Sequence, residues 1–262
     1  MPRLQFKTGD PQPGPTSHKI VVVLPAYNEA ATIENTILEA NNYFSKIHPN
    51  IEYMVAEDGS TDGTLQVLFL LKHVLPCVHV NSSPKRKGYA AAVRDAIMSV
   101  GKEADYILFM DSDGQYDPKD FQKLVMPAEY VDIIIGRRLS RAESPLRIFL
   151  STGVSLLEQK MFGLTCRDVT SAFRLMRREI AQALASRVHY SKYNFWTEFT
   201  ALAAVSHYKI VEVPVSYRNR KSGGSRVYGN RRLTKIVLNE FAAIVRTWIR
   251  SKTKLQIDKE QN

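Results

Sequence analysis

The feature that most constrains this chain is the alternation, over its first half, of short apolar segments with amphipathic ones. Five short segments are almost continuously apolar, as expected of strands buried on both faces: 20–24, 51–56, 77–80, 106–110 and 131–135. The stretches between them carry apolar residues at helical spacing: 30–45, 63–73, 89–100 and 118–129. This order predicts an α/β fold in which helices cover a parallel sheet.

Polar segments follow three of these predicted strands. Residues 25–29 follow the first strand, residues 57–60 the second and residues 111–115 the fourth. In an open parallel sheet, ligands bind at the carboxyl ends of the strands. We therefore expect the three segments to form a single site at one edge of the sheet.

The second half of the chain is less regular. Residues 145–162 and 179–186 have helical patterns, and residues 210–217 alternate as a strand does. From Leu233 to Ile249 the apolar spacing predicts an amphipathic C-terminal helix. The predicted organisation is a flexible leader, one domain, this helix and a polar tail, with the boundaries 1–18, 19–228, 229–251 and 252–262.

Composition narrows the class of protein. The 262 residues, 44% of them hydrophobic, suffice for one large core. Cys77 and Cys166 lack the spacing of a metal or disulfide framework, which favours a reducing compartment. No run of 18 apolar residues occurs and the leader lacks a signal-peptide core, so we expect a cytoplasmic protein.

The net charge of +10 is unevenly distributed. Residues 1–130 contain 12 Lys and Arg against 16 Asp and Glu, whereas the remainder contains 24 against 10. The second half is therefore expected to meet an anionic partner. Nucleic acid, a phosphorylated substrate and an anionic membrane surface all fit, and charge alone does not choose among them.

Asp111 and Asp113 form an Asp-x-Asp pair directly after the fourth predicted strand. Hard cations such as Mg²⁺ and Mn²⁺ bind through one or two carboxylates together with substrate phosphate oxygens. A cation held there would stabilise a departing nucleoside diphosphate. Gln115 is a candidate third ligand, and a simple Asp-rich turn is the structural alternative.

Asp58 and Glu29 are candidate contacts to a nucleoside. Asp58 follows the second strand, where its carboxylate can accept from a base or ribose, although its segment also fits a turn and a helix cap at Thr61 or Asp62. Glu29 can accept from ribose hydroxyls, or be a first-turn glutamate favoured by the helix dipole.

Three other classes of protein fit less well. A sugar nucleotidyltransferase needs a Gly-rich loop after the first strand, and a nicotinamide-dependent oxidoreductase needs GxGxxG there, but this chain has Pro25-Ala26-Tyr27-Asn28-Glu29. A nucleic-acid-binding protein would explain the basic half but not the carboxylates at three strand ends. We therefore expect no nucleic-acid partner.

Five ordered motifs, within residues 20–229, resemble the inverting family 2 glycosyltransferases of GT-A fold: PAYNEAATI, EDGSTDGT, KGYAAAVRDAI, MDSDGQYDP and DVTSAFRLMRRE. Within that family the chain is most similar to the polyprenyl-phosphate sugar transferases, the dolichol-phosphate mannose synthases among them, which share MDxDxQ, DVTSxFR and a late YxxRxxGxS. Five motifs in order are far more specific than any one of them.

The resemblance implies a GT-A domain and metal-dependent, inverting transfer of a hexose from a nucleotide diphosphate sugar, with GDP-mannose expected first and UDP-glucose second. It implies donor contacts from Pro25, Tyr27, Glu29, Asp58, Lys87, Asp111 and Asp113. It implies a Mg²⁺ or Mn²⁺ site at Asp111, Asp113 and Gln115. The residues expected around the reacting phosphates are Asp113, Arg137, Arg147, Asp168, Arg220 and Arg226, since arginine binds phosphate bidentately.

The chain also departs from the family pattern. Glu57 replaces a commoner Asp, Ala172 stands where Gly is frequent, and Arg226 stands where Lys is frequent. A Gln-x-x-Arg-Trp segment of the kind found in processive polysaccharide synthases is missing, which disfavours a polymer-forming role.

The implied acceptor is a polyprenyl phosphate. A phosphate monoester is already anionic, so positioning and charge neutralisation can suffice, whereas a hydroxyl acceptor requires a general base. The alternative is transfer to a sugar hydroxyl of a glycan or lipid-linked saccharide, with Glu198 as the candidate base or simply a helix-surface carboxylate.

A polyprenyl substrate also implies contact with a membrane. Basic residues flank the C-terminal apolar stripe, as in an interfacial helix on anionic lipid, and residues 145–162 are a second candidate. Both stripes can instead be buried in the protein or against a small membrane subunit. We expect a peripheral protein at the cytoplasmic face of a membrane.

Overall fold

The computed structural model describes residues 18–139, 145–219 and 233–260, and for residues 145–147, 233–235 and 253–260 it describes the backbone only. Most of the predicted leader therefore lies outside the described residues. So do Arg220 and Arg226, and the side chain of Arg147 is not described.

Seven strands form one sheet in the order β3-β2-β1-β4-β6-β5-β7. The strands are β1 Ile20–Ala26, β2 Ile51–Glu57, β3 Val78–Ser82, β4 Tyr106–Phe109, β5 Ile133–Arg138, β6 Arg174–Arg177 and β7 Ile210–Val215. Every pairing is parallel except those of β6, which runs antiparallel to β4 and β5. The mostly parallel sheet is as predicted, and β1, β2 and β4 are neighbours, so their carboxyl ends lie at one edge.

Strand β6 was not predicted from the sequence. It has only four residues, begins and ends with arginine, and so lacks the apolar run that marks the other central strands. Its first arginine, Arg174, is nevertheless fully buried. Tertiary contacts, not local pattern, make this segment a strand.

Eight α-helices are described: α1 Ile33–Ile47, α2 Thr64–Val74, α3 Tyr89–Met98, α4 Phe121–Val125, α5 Pro145–Phe162, α6 Arg178–Ala185, α7 Phe195–Val205 and α8 Leu233–Glu260. A 3-10 turn at Pro118–Asp120 precedes α4. The predicted helix 118–129 is therefore shorter than expected. Met126 still has helical backbone angles, but Pro127 has no N–H with which to continue the helical hydrogen bonds.

Helices α7 and α8 differ from expectation in other ways. Helix α7 was not predicted, because nearly all its residues are buried and it has no polar face to create a helical stripe. Helix α8 extends to Glu260, past the predicted end at residue 251, and its last residues contain neither Gly nor Pro to stop it.

The helices form two groups. Helix α1 contacts α2 and the 3-10 turn, whereas α3 contacts α6 and α7, and α5 and α8 pack on α7 and on each other. The core lies between these helices and the central strands, with β1 and β4 almost completely buried. Among the described residues, we find no helix that combines the length and the hydrophobicity needed to cross a membrane.

Candidate active site

Hydrogen bonds fasten the loop after β1 to the loop after β2. Asn28 adopts a left-handed backbone with φ of 56°, and its side-chain oxygen accepts from the Thr61 N–H at 2.7 Å. The Asn28 N–H donates to Ser60 Oγ at 2.9 Å, and the Glu29 N–H donates to Thr64 Oγ1 at 2.8 Å. Two of the segments that the sequence predicted to converge are thus joined directly.

Tyr27 and Glu29 lie at this junction. The guanidinium of Arg86 is 4.0 Å from the centroid of the Tyr27 ring, within the range of a cation–π contact. Glu29 is 7% exposed, and its carboxylate accepts from the hydroxyl of Thr32 at 2.7 Å. The two side chains therefore occupy fixed positions beside the end of β1.

Asp58 holds the loop that precedes α3. Its two carboxylate oxygens accept from the N–H groups of Lys87 and Gly88, at 2.7 and 2.9 Å. Lys87 in turn places its ammonium 2.8 Å from Asp95, and both side chains are exposed. The structure thus brings Asp58 and Lys87 together through the Lys87 backbone and not through its charge.

Asp111 and Asp113 lie on either side of an inward-facing serine. The Ser112 hydroxyl donates to the carbonyl of Pro25 at 2.7 Å, and the Ser112 carbonyl accepts from Thr36. This turn ties the end of β4 to the end of β1 and leaves both aspartates half-buried. Across the part of the chain that the structure describes, no group of three or more His, Cys, Asp or Glu side chains is arranged to hold a metal ion.

Gln115 links the Asp-x-Asp turn to the segment after β7. Its amide nitrogen donates to the carbonyl of Arg218 at 3.1 Å, and its amide oxygen accepts from the Tyr217 hydroxyl at 3.0 Å. Burial raises the pKa of Tyr217, with Tyr116 adding to the effect, so this phenol stays protonated and donates. The carbonyl predicted to bind a metal already accepts one hydrogen bond.

Arg218 is a site-edge residue that the sequence analysis missed. Its guanidinium lies 2.7 Å from Glu39 on α1 and 2.9 Å from Asp117. Tyr217 begins the YxxRxxGxS motif, but Arg218 occupies one of its unspecified positions, so the motif gave no signal for this arginine. These two ion pairs hold the segment after β7 against α1 and against the loop before α4.

Asp168 pairs with Arg138. Arg138 donates to both carboxylate oxygens at 2.8 Å, and its guanidinium also donates to Thr170 Oγ1 at 2.7 Å. Burial alone would lower the pKa of Arg138, but the hydrogen bonds to Asp168 more than offset it. Asp168 therefore orients Arg138, whereas Arg137, the arginine implied by the family resemblance, is the half-buried neighbour on β5.

Glu198 is neither a surface carboxylate nor a base exposed to substrate. It is 1% exposed, and its carboxylate accepts from three consecutive backbone N–H groups, those of His189, Tyr190 and Ser191, at 2.7 to 2.9 Å. Its role in the fold is to anchor the loop before α7.

A concavity of about 120 Å³ adjoins Asp113 on the side of α1. It is lined by Ala31, Thr32, Asn35, Thr36, Glu39, Asp113 and Gly114. Its polar lining joins the start of α1 to the Asp-x-Asp turn, so Asp113 faces a space open to a ligand.

Sequence comparison identifies the family. Residues 21–185, more than half of the chain, match the family model described as glycosyl transferase family 2. The chain belongs to glycosyl transferase family 2. It is therefore a glycosyltransferase, and the resemblance stated from the motifs is confirmed.

Curated relatives share this family and cover most of the chain. An undecaprenyl-phosphate mannosyltransferase of Micrococcus luteus is 26% identical over 80% of this chain and 88% of its own length. A polyprenol monophosphomannose synthase of Mycolicibacterium smegmatis is 26% identical, over 84% and 85%. A dolichyl-phosphate beta-glucosyltransferase of Trichomonas vaginalis is 25% identical, over 87% and 80%.

Solved structures confirm the GT-A fold. Glucosyl-3-phosphoglycerate synthase from Mycobacterium tuberculosis, in complex with Mn²⁺, uridine diphosphate and phosphoglyceric acid, has a TM-score of 0.65 at 20% identity, covering 88% of this chain and 79% of that one. The same enzyme with Mg²⁺ and uridine diphosphate gives a TM-score of 0.64 at 18% identity, with coverages of 88% and 79%.

Proposed function

We propose that this protein transfers a hexose, with inversion, from a nucleotide diphosphate sugar to a polyprenyl phosphate. The observation that carries the proposal is the arrangement of Asp111 and Asp113 beside the fastened loops of β1 and β2. It occurs in a chain whose relatives are named as polyprenyl-phosphate and dolichyl-phosphate sugar transferases. Mannose is the first candidate sugar and glucose the second, because both occur among those names.

Asp111 and Asp113 would hold a Mg²⁺ or Mn²⁺ ion. Carboxylate oxygens are the ligands that these hard cations prefer, and two of them leave the remaining positions to phosphate oxygens and water. A bound cation supplies charge stabilisation to the departing nucleoside diphosphate. Gln115 fits a supporting role better than that of a ligand, since its amide joins the turn to Tyr217 and Arg218.

The donor nucleoside would lie over the ends of β1 and β2. Pro25, Tyr27 and Glu29 would form one wall of its site, in a segment that Asn28 and Glu29 bond to the loop after β2. Asp58 would contribute by holding the backbone of Lys87 and Gly88 as the opposite wall. In this arrangement, Asp58 positions the loop while the side chain of Lys87 remains able to exchange Asp95 for a phosphate.

A phosphate acceptor is favoured because Glu198, the one candidate general base of the sequence analysis, is not available to deprotonate a hydroxyl acceptor. The carboxylate of Glu198, the candidate general base, is buried and already accepts from three backbone N–H groups. A lipid phosphate needs no deprotonation, so positioning and charge neutralisation suffice. We assign that positioning to Arg137, Arg147, Arg220 and Arg226, and the orientation of Arg138 to Asp168.

The face that would meet the lipid lies on α5 and α8. Phe149 and Leu156 on α5, and Leu238, Phe241 and Ile249 on α8, are 53 to 74% exposed. Arg246, Arg250 and Lys252 are exposed on α8 as well, and their charge matches that of anionic lipid. We propose that this apolar and basic face rests on the cytoplasmic surface of a membrane, with a small membrane subunit as the alternative occupant.

The decisive experiment measures release of nucleoside diphosphate from a panel of GDP- and UDP-sugars. Each donor is tested with Mn²⁺, Mg²⁺ or a chelator, with and without a short polyprenyl phosphate, for the wild type and for Asp113→Asn. We expect release that requires metal and lipid phosphate together and that is lost in the variant. Release onto a sugar hydroxyl without lipid phosphate would move the assignment to the alternative acceptor, and turnover of no donor would refute the proposal.

Membrane contact is tested by sedimentation with vesicles. We expect the wild type to bind vesicles that contain anionic phospholipid, and Phe241→Ser with Ile249→Ser to release it. Vesicles of phosphatidylcholine alone carry no net charge, so they show how much of the binding depends on the basic residues of α8. If the wild type does not sediment with anionic vesicles, this face does not bind a lipid surface by itself.

A further inference from the structure

Two aromatic side chains from distant parts of the chain form a hydrogen-bond relay to Asp111. Tyr89 is the first residue of α3, and Trp196 lies in the first turn of α7. The indole N–H of Trp196 donates to the Tyr89 hydroxyl at 3.1 Å, and that hydroxyl donates to Asp111 Oδ1 at 3.3 Å. Neither aromatic residue was a candidate in the sequence analysis.

The chemistry of the relay fixes its direction. An indole N–H can only donate, so the Tyr89 oxygen has to accept from it. The single hydroxyl proton of Tyr89 is then left for the carboxylate, which accepts only. Each bond in such a chain polarises the next, so the indole makes the phenol a stronger donor toward Asp111.

The far end of the relay is held rigidly. Trp196 is 1% exposed and packs edge-on against Phe109, with ring centroids 4.7 Å apart. The guanidinium of Arg174 lies 4.5 Å from the indole centroid and is itself held by Thr200 Oγ1 and the carbonyl of Ser171. The indole therefore has little freedom to rotate, and its N–H holds the Tyr89 hydroxyl in a fixed orientation.

We propose that Tyr89 is a positioning residue that sets the orientation of Asp111 for divalent cations, and that Trp196 acts through Tyr89. This inference rests on the proposed metal site. Groups that hydrogen-bond to a metal-binding carboxylate restrict its rotation before the ion arrives, and their loss typically weakens metal binding by about 10- to 100-fold. The relay also connects α7, which lies far along the chain from β1 and β2, to the proposed metal site.

The test measures Mn²⁺ binding by water-proton relaxation, with the metal alone and no sugar donor. Tyr89→Phe removes only the hydroxyl, and we expect it to raise the Mn²⁺ dissociation constant about 10-fold. Tyr106→Phe is the matched control, because it removes a buried hydroxyl that bonds to the carbonyl of Ala128, away from Asp111. The control is expected to leave Mn²⁺ affinity unchanged.

A double-mutant cycle tests the relay itself. Trp196→Phe is expected to weaken Mn²⁺ binding less than Tyr89→Phe does, and to add nothing when the two are combined, since it acts through the same hydroxyl. Fully additive effects would overturn the role of Trp196. If Trp196→Phe does not fold, Tyr89→Phe alone decides the main assignment.

The outcomes separate this inference from the proposed function. Wild-type affinity in Tyr89→Phe, with Mn²⁺ bound by both proteins, would overturn the positioning role and leave the metal site intact. Failure of the wild type to bind Mn²⁺ would overturn the metal site and the positioning role together.

Discussion

Acidic side chains at the carboxyl edge of β1, β2 and β4 have surroundings unlike those of the acidic side chains between α5, α7 and α8. At the strand edge, Asp58 accepts from two backbone N–H groups, and Asp111 and Asp113 remain half-buried. Between the helices, Glu158 is completely buried, and neither of its carboxylate oxygens has a hydrogen-bond partner among the described residues. Glu240 is 4% exposed and accepts from Thr197 Oγ1 and the Asn194 N–H.

The difference lies in what each region requires of its carboxylates. Burial raises the pKa of Glu158 well above its usual range and that of Glu240 to about 7, so protonation keeps the helical layer stable. The strand edge, in contrast, needs negative charge to bind a cation. Substitutions at the edge should therefore change activity, and substitutions between the helices should change stability and its dependence on pH.

The largest expected effect is on the buried ion pair of Arg138 and Asp168. Asp168→Asn removes the carboxylate charge that pairs with the Arg138 guanidinium, whose side chain is 7% exposed. Breaking one partner of a buried pair costs about 3–5 kcal/mol. We expect a loss of that size in the free energy of unfolding, measured by urea denaturation.

An exposed pair provides the control for Asp168→Asn. Asp95 lies 2.8 Å from Lys87, and the two side chains are 40% and 47% exposed. Asp95→Asn is expected to cost less than about 1 kcal/mol, because water screens such pairs. Equal losses in the two variants would show that burial does not distinguish the two ion pairs.

The next effect belongs to the strand edge and concerns activity alone. Asp113→Asn removes one carboxylate charge from the proposed cation site, and we expect kcat to fall by about 100- to 1,000-fold, as for loss of one preorganised stabilising group. The unfolding free energy should stay within about 0.5 kcal/mol, since Asp113 is not in the core. A large loss of stability would mean that the turn depends on this carboxylate for its fold.

The strand edge is also the region that the sequence described best. Strands buried on both faces appear in the sequence as continuous apolar runs. Because β1, β2 and β4 are parallel neighbours, the polar segments that follow them lie at one edge of the sheet. That reasoning needs only local pattern and topology. It predicted the strands and the converging segments, and the family comparison confirmed the glycosyltransferase assignment.

Pairings between distant residues could not be predicted in the same way. Arg138 and Asp168 are 30 residues apart, and Tyr89 and Trp196 are 107 residues apart. Arg137 and Arg138 are adjacent in the sequence, but side chains alternate between the faces of a strand, so only the register of β5 decides which one meets Asp168. Glu198 and Arg174 likewise look like surface charges until the surrounding elements bury them.

Glu240 should make stability fall as pH rises. Its pKa is raised from 4.5 to about 7 by burial, so the folded state binds more protons than the unfolded state between those values. The contribution of Glu240 to the free energy of unfolding is fully present below about pH 4.5. It is lost as pH rises through 7, by up to about 3 kcal/mol. We expect Glu240→Gln to reduce this decline in urea denaturation at pH 5 and 7.5, and the remainder to belong to Glu158, whose pKa is raised as well. The control is Glu179→Gln, at a side chain that is 83% exposed, and it should retain the wild-type decline.

The smallest effect, and the one of opposite sign, is expected at Glu158. Glu158→Met replaces a carboxyl that has no hydrogen-bond partner with an apolar side chain of similar length, which removes the cost of burying an unsatisfied polar group. Because burial raises the pKa of Glu158 and so favours its neutral form, Arg174 depends little on it for charge, and the guanidinium retains its bonds to Thr200 and Ser171. We expect the unfolding free energy to rise by about 1 kcal/mol at pH 7. Glu158→Gln also removes the proton uptake on folding but keeps a buried polar group, so it should gain less than Glu158→Met. A decrease in Glu158→Met would show that this carboxyl supports the helical layer through a contact, and the contrast between the two regions would then rest on Glu240 alone.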